Sequence, residues 1–147
     1  MMRIKFRQEQ RGSILLEALI AILIFSMGIL ALMGMQATAI NTVAESKYRS
    51  NAGFLANRII GQIWADRANL ATYACNPCTT TGTGNIDTRA WATEIQSGAL
   101  QLPGVTDAAN QPTITLGASN QVMVQMFWQA PNATAQRNHL VIAYVNG

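Results

Sequence analysis

The chain changes its hydrophobic pattern at about residue 36, and the change separates two kinds of structure. From Ile14 to Met35 the sequence reads ILLEALIAILIFSMGILALMGM, 22 positions that are apolar or small apart from Glu17. As a helix rising about 1.5 Å per residue, such a run spans about 33 Å, enough to cross a hydrocarbon core of about 30 Å. Ser26, Gly28 and Gly34 are small residues of the kind that membrane helices use for close packing. Beyond the run the pattern becomes amphipathic. Tyr48, Ala52, Leu55, Ile59 and Ile63 recur at helical spacing, and Glu45, Lys47, Arg49, Arg58 and Asp66 mark a solvated side. No proline occurs before Pro77, so one long helix is predicted, with 13–36 as its transmembrane half and 37–72 as its amphipathic half. Gly53 and Gly61 each weaken that helix by about 1 kcal/mol relative to alanine.

Residues 73–147 read as a small globular region. Asp87 is placed to cap a short helix running to about Leu100, with Trp91, Ile95 and Leu100 or Ala99 inward, ended by Leu102-Pro103-Gly104. Three strand patterns follow. Thr113–Leu116 is short. Gln121–Trp128 alternates, with Val122, Val124, Met126 and Trp128 on one face. His139–Val145 is rich in β-branched and aromatic residues. Three antiparallel strands against residues 43–67 of the long helix would bury its apolar stripe, giving an α+β fold.

Composition sharpens this picture. Of the 147 residues half are hydrophobic and 12% are charged, against about 25% in ordinary soluble domains. The net charge is +3, and its distribution matters more than its size. Residues 1–12 hold Arg3, Lys5, Arg7 and Arg11 against Glu9, four minus one, while the rest of the chain holds six basic and six acidic residues. A basic segment just before an apolar run is an orientation signal that stays cytoplasmic. It is not a nucleic-acid patch.

Glu17 is the residue that the membrane reading must explain. A charged carboxylate within a membrane helix costs roughly 2.5–3.5 kcal/mol on insertion scales, so it usually has a functional partner. Three readings compete: a plain single-pass anchor, a secretory signal peptide cut after Ala37-Thr38-Ala39, and a leader cut between Gly12 and Ser13. Only the last supplies a partner. Cleavage there would make Ser13 the new N-terminus, whose amino group (pKa about 8) is mostly cationic at neutral pH. That cation can pair with Glu17, the fifth residue of the mature chain, in its own or a neighbouring molecule.

Enzymatic constellations are absent from the pattern. Cys75-Asn76-Pro77-Cys78 has thioredoxin-like spacing but follows a long helix and precedes a loop, Thr79 to Gly84, instead of opening a helix after a strand. A zinc site needs about four ligands, and only His139 could join the two thiols. In an oxidising compartment the pair is read as a disulfide, a local staple worth about 2 kcal/mol or less. His139, the only histidine, is read as a surface or hydrogen-bonded residue, and Gly82-Thr83-Gly84 lacks the rest of a nucleotide fingerprint. Neither a cofactor nor a metal is expected.

The stretch Arg11-Gly12-Ser13-Ile14-Leu15-Leu16-Glu17, followed by ALIAILIFSMGILALMGMQ, resembles the class III signal sequence of type IV pilins and type II secretion pseudopilins. In those families a prepilin peptidase cuts after the glycine and methylates the new N-terminus, and the glutamate guides docking onto the growing filament. The resemblance implies that Gly12 precedes the cut, Ser13 is methylated and Glu17 is the docking carboxylate. Ser13 departs from the phenylalanine usual there. From residue 12 to about 69 the chain further resembles the PilV-type minor pilins, the type IV pilus modification proteins. That likeness implies a ladle-shaped pilin fold anchored in the bacterial inner membrane, with the C-terminal region periplasmic and later on the pilus surface. It also implies a minor pilin that primes pilus assembly and joins the tip complex, supporting adhesion and twitching motility. Its implied partners are prepilin peptidase, other minor pilins, the major pilin and the inner-membrane assembly platform. A minor pseudopilin of type II secretion is the nearest alternative; a plain membrane-anchored or secreted binding domain is the alternative of another class.

Overall fold

The computed structural model describes residues 11–131 and 133–146. The basic leader residues Arg3, Lys5 and Arg7, with Glu9, lie outside them. The described chain is α+β: one long helix, a short second helix and a three-stranded antiparallel sheet. It divides into two compact units between Val43 and Ala44.

The first unit is the N-terminal part of helix α1 (Arg11–Ala65). The helix is long and apolar enough to cross a membrane, and its apolar side chains from Ile14 to Val43 are exposed.

The second unit, from Ala44 onward, holds the hydrophobic core. The amphipathic stripe is buried as its spacing predicts: Ala52, Leu55, Ile59 and Ile63 are fully enclosed, joined by Ala56 and Ile60, with Tyr48 partly buried at the edge. The helix ends at Ala65, short of the expected residue 72, and a 3-10 segment, Arg67–Tyr73, carries the chain on. The solvated side is less solvated than its charges suggest. Glu45 pairs with Arg137, Arg58 pairs with Glu94, and Asp66 is half-buried among hydrogen bonds.

Helix α2 spans Ile86–Ser97, shorter at its C-terminus than the expected limit near Leu100. Its cap is Asn85, not Asp87: the Asn85 side chain accepts from the Thr88 backbone N–H at 2.9 Å. Asp87 lies in the first turn, where a negative charge still favours the helix dipole. Trp91 and Ile95 are buried as expected, and Leu100 packs at the rim of the core.

The strands are β1 (Thr113–Leu116), β2 (Gln121–Trp128) and β3 (Arg137–Tyr144), ordered β1-β2-β3. β1 and β2 have the expected limits. β3 begins two residues earlier than expected, because Arg137 and Asn138 pair with Trp128 and Phe127, and ends one earlier, at Tyr144. The alternation in β2 is complete: Val122, Val124, Met126 and Trp128 all face the core. Gly104 closes the turn after α2 at φ 75°, a left-handed conformation that glycine adopts without strain.

Candidate functional site

Two places collect the residues that the sequence singles out: the start of α1 and the turn after it. Gly12 and Ser13 lie within α1, and Glu17 follows Ser13 by four residues, so the latter two share a face one turn apart. Both side chains are exposed. The hydroxyls farther along the helix find partners on their own backbone. Ser26 Oγ donates to the Ile22 carbonyl at 2.7 Å, Thr38 Oγ1 to Gly34 at 3.2 Å, and Thr42 Oγ1 to Thr38 at 3.0 Å. That back-bonding removes most of the cost of a hydroxyl in an apolar medium. Glu17 has no such recourse, since a carboxylate accepts only and helix carbonyls cannot donate. Among the described residues no ion pair reaches it.

Cys75 and Cys78 are joined in a disulfide with Cα atoms 4.8 Å apart, and both are buried. The turn they close is stitched to β1 by backbone bonds: Cys75 exchanges two with Ile114 (3.0 and 2.9 Å), and the Cys78 N–H donates to Pro112 at 2.8 Å. A bond so enclosed, and so tied to the sheet, holds the end of the 3-10 segment against the first strand. It has none of the exposure that a reactive thiol pair requires.

His139 stands third in β3, half-buried, above Gly53 of α1; a methyl group on Gly53 would lie 3.6 Å from its Nε2. It is not brought near the cysteines by any hydrogen bond or strand pair. Among the described residues no three His, Cys, Asp or Glu side chains converge as a metal site needs.

One polar junction was not foreseen from the sequence. The Tyr73 hydroxyl lies 3.3 Å from Asp66 Oδ2 and 3.3 Å from Asp87 Oδ2, and Asp66 also accepts from Asn69 Nδ2 at 2.7 Å. The hydroxyl has one proton for two carboxylates, so it links the end of α1 to the first turn of α2 through whichever it donates to. Burial raises the phenol above its ordinary pKa of 10.0, and the two carboxylate charges push the same way against an opposing hydrogen bond from Asn85. Nearby, Trp91 Nε1 donates to the Leu55 carbonyl at 2.9 Å and Arg58 pairs with Glu94, fixing α2 on α1. Residues 66, 73 and 87 are 7 and 14 positions apart but do not share one continuous helix, so their meeting exists only once the chain has turned. The junction is structural in character, joining the end of α1 to the first turn of α2.

No family model, curated protein or solved structure matches the chain.

Proposed function

We propose that the protein is a type IV pilin-like subunit, a minor pilin that is cleaved between Gly12 and Ser13 and packs through its N-terminal helix into a filament. The observation that carries this reading is Glu17: a single carboxylate, without a partner among the described residues, at the start of an apolar helix and four residues after a Gly12-Ser13 pair. A membrane helix tolerates such a charge where something neutralises it. Cleavage creates the neutralising group. The Ser13 amino group carries a positive charge at neutral pH and lies one turn from Glu17, or reaches the Glu17 of a neighbouring copy. In a low-dielectric setting the pair is strong and an unpaired carboxylate is costly, so assembly becomes conditional on processing. N-methylation of Ser13 keeps that charge.

The α+β organisation supports the same reading. One helix presents a long apolar surface, and its continuation beyond Ala44 belongs to the core of a small sheet-containing unit. In this reading the chain performs no chemistry. It is oriented by its basic leader in the bacterial inner membrane, exposes its C-terminal unit to the periplasm, and enters the pilus with other minor pilins and the major pilin. There it primes assembly and occupies the tip, and adhesion and twitching motility follow from the filament.

The deciding measurement is the intact mass and N-terminal sequence of the protein extracted from membranes of a piliated cell. A mature chain starting at methylated Ser13 is expected. A start at Ile40 would make it a secreted domain, and an uncut N-terminus a plain anchor; either overturns the proposal. Co-purification with sheared pili, and not with a secretion pseudopilus, then separates a pilus subunit from a pseudopilin.

A further inference from the structure

The outer edge of β3 is open, and the residues along it are apolar. Which backbone groups point outward follows from the pairing. Ile114 exchanges both of its backbone hydrogen bonds with Cys75, so it faces away from β2, and its neighbour across the sheet, Val124, faces β3. Val124 pairs with Val141, so Val141, His139 and Ala143 bond inward, and Asn138, Leu140, Ile142 and Tyr144 direct N–H and C=O outward. Among the described residues no backbone bond reaches Leu140, Ile142 or Tyr144 from outside the sheet. The same three carry side chains 47%, 49% and 53% exposed.

Natural sheets protect such an edge with a charge, a proline, a bulge or a covering segment. Here the eight-residue register with β2 runs without interruption, and neither a proline nor a charged side chain occurs from Leu140 to Tyr144. Outward donors and acceptors at strand spacing accept one kind of occupant, another extended strand. The geometry points to the β3 of a second copy of this chain. Paired antiparallel about a two-fold axis through Val141, Leu140 of each copy lies opposite Ile142 of the other, and Tyr144 opposite Asn138. All of these are positions whose backbone groups point outward and can bond. On the inner face Arg137 lies opposite Val145 and His139 opposite Ala143, so no like charges oppose each other. The edge is thus self-complementary in hydrogen bonding and apolarity, and brings no like charges face to face, as an isologous contact requires. Such pairing is independent of how the N-terminal helix is used.

The test uses the full-length chain in detergent micelles. Cys75 and Cys78 are bonded to each other and no free cysteine exists, so an introduced thiol is the sole one. Val141→Cys sits on the proposed axis in a pair without mutual hydrogen bonds, with Cα atoms about 4.5 Å apart, within disulfide range. Expected are a concentration-dependent doubling of the protein mass, and oxidative cross-linking of Val141→Cys at least tenfold faster than of Asn57→Cys on the exposed side of α1. Ile142→Lys, a substitution at a half-exposed position, is expected to abolish the doubling and leave the circular dichroism of the monomer unchanged. A chain that stays monomeric at every attainable concentration overturns the proposal, and so does capture of a different protein's strand at this edge. A dimer indifferent to Ile142→Lys, or one without the Val141→Cys cross-link, places the contact elsewhere and overturns it equally.

Discussion

At the scale of single residues, two of the side chains that tie α2 to α1 and the segment after it each make a prediction. Trp91 is enclosed and donates its indole N–H to the Leu55 carbonyl. Trp91→Phe removes both volume and the donor, and is expected to lower stability by about 2–3 kcal/mol, read from the denaturant midpoint. Tyr73 predicts a pH dependence instead. Its phenol is raised above 10.0 in the folded chain, mainly by burial. A raised folded value means that the native state holds its proton longer than the unfolded chain does. Tyr73 therefore leaves stability untouched below pH 10.0 and reduces it as pH climbs from there through the higher folded value. Melting curves between pH 8 and 11 are expected to fall on the alkaline side, and that fall should flatten in Tyr73→Phe. An equal fall in the variant would place the alkaline sensitivity elsewhere.

At the scale of elements, glycines divide by conformation, and substitutions at them should move stability in opposite directions. Gly61 lies mid-helix with nothing near the position a methyl group would occupy. Gly61→Ala is expected to raise stability by up to about 1 kcal/mol through helix propensity alone. Gly104 has φ 75°, and a methyl there would lie 3.1 Å from Asn110 Nδ2 and 3.3 Å from the Gln129 carbonyl. Gly104→Ala is expected to cost about 1–2 kcal/mol from the left-handed backbone, and more if the turn cannot shift. Paired thermal melts of the two variants check both signs. Which elements were legible from the sequence follows the same physics. The α1 stripe and the alternation of β2 are periodic over many residues, so burial leaves a clear trace. The first two residues of β3 are polar and exposed, and only their partners on β2 make them strand. Asn85 and Asp87 are both capping residue types two positions apart, and the choice fell to the one whose side chain reaches Thr88. The Tyr73 junction left no trace because it depends on three segments meeting. At the start of α1 the candidate residues Gly12, Ser13 and Glu17 are local in sequence, so they are proposed from the sequence pattern alone.

At the scale of the whole molecule, the division between Val43 and Ala44 separates surface of two kinds. Every residue of the hydrophobic core lies in the second unit, and Tyr48 is the partly buried hydrophobic packed against it that lies nearest the boundary. The first unit contributes none, and its apolar side chains stay exposed. A chain beginning at Ala44 is therefore expected to fold cooperatively without detergent, with a melting temperature close to that of the same unit in the full-length protein. Loss of folding in that fragment would mean that residues before Ala44 stabilise the second unit. The exposed apolar helix, by contrast, must be covered by lipid or by other helices, and Glu17 decides between these fates under the pilin reading. Before cleavage its carboxylate has no cation supplied by processing, and afterwards Ser13 offers one. Glu17→Val removes the charge and leaves the Gly12–Ser13 bond intact. It is expected to be processed at the normal rate, to remain in the inner membrane, and to fall at least tenfold in sheared filaments. Gly12→Ala is expected to stay at precursor length. If Glu17→Val enters filaments as well as the unaltered chain does, the carboxylate has no part in docking, and the apolar surface alone drives assembly.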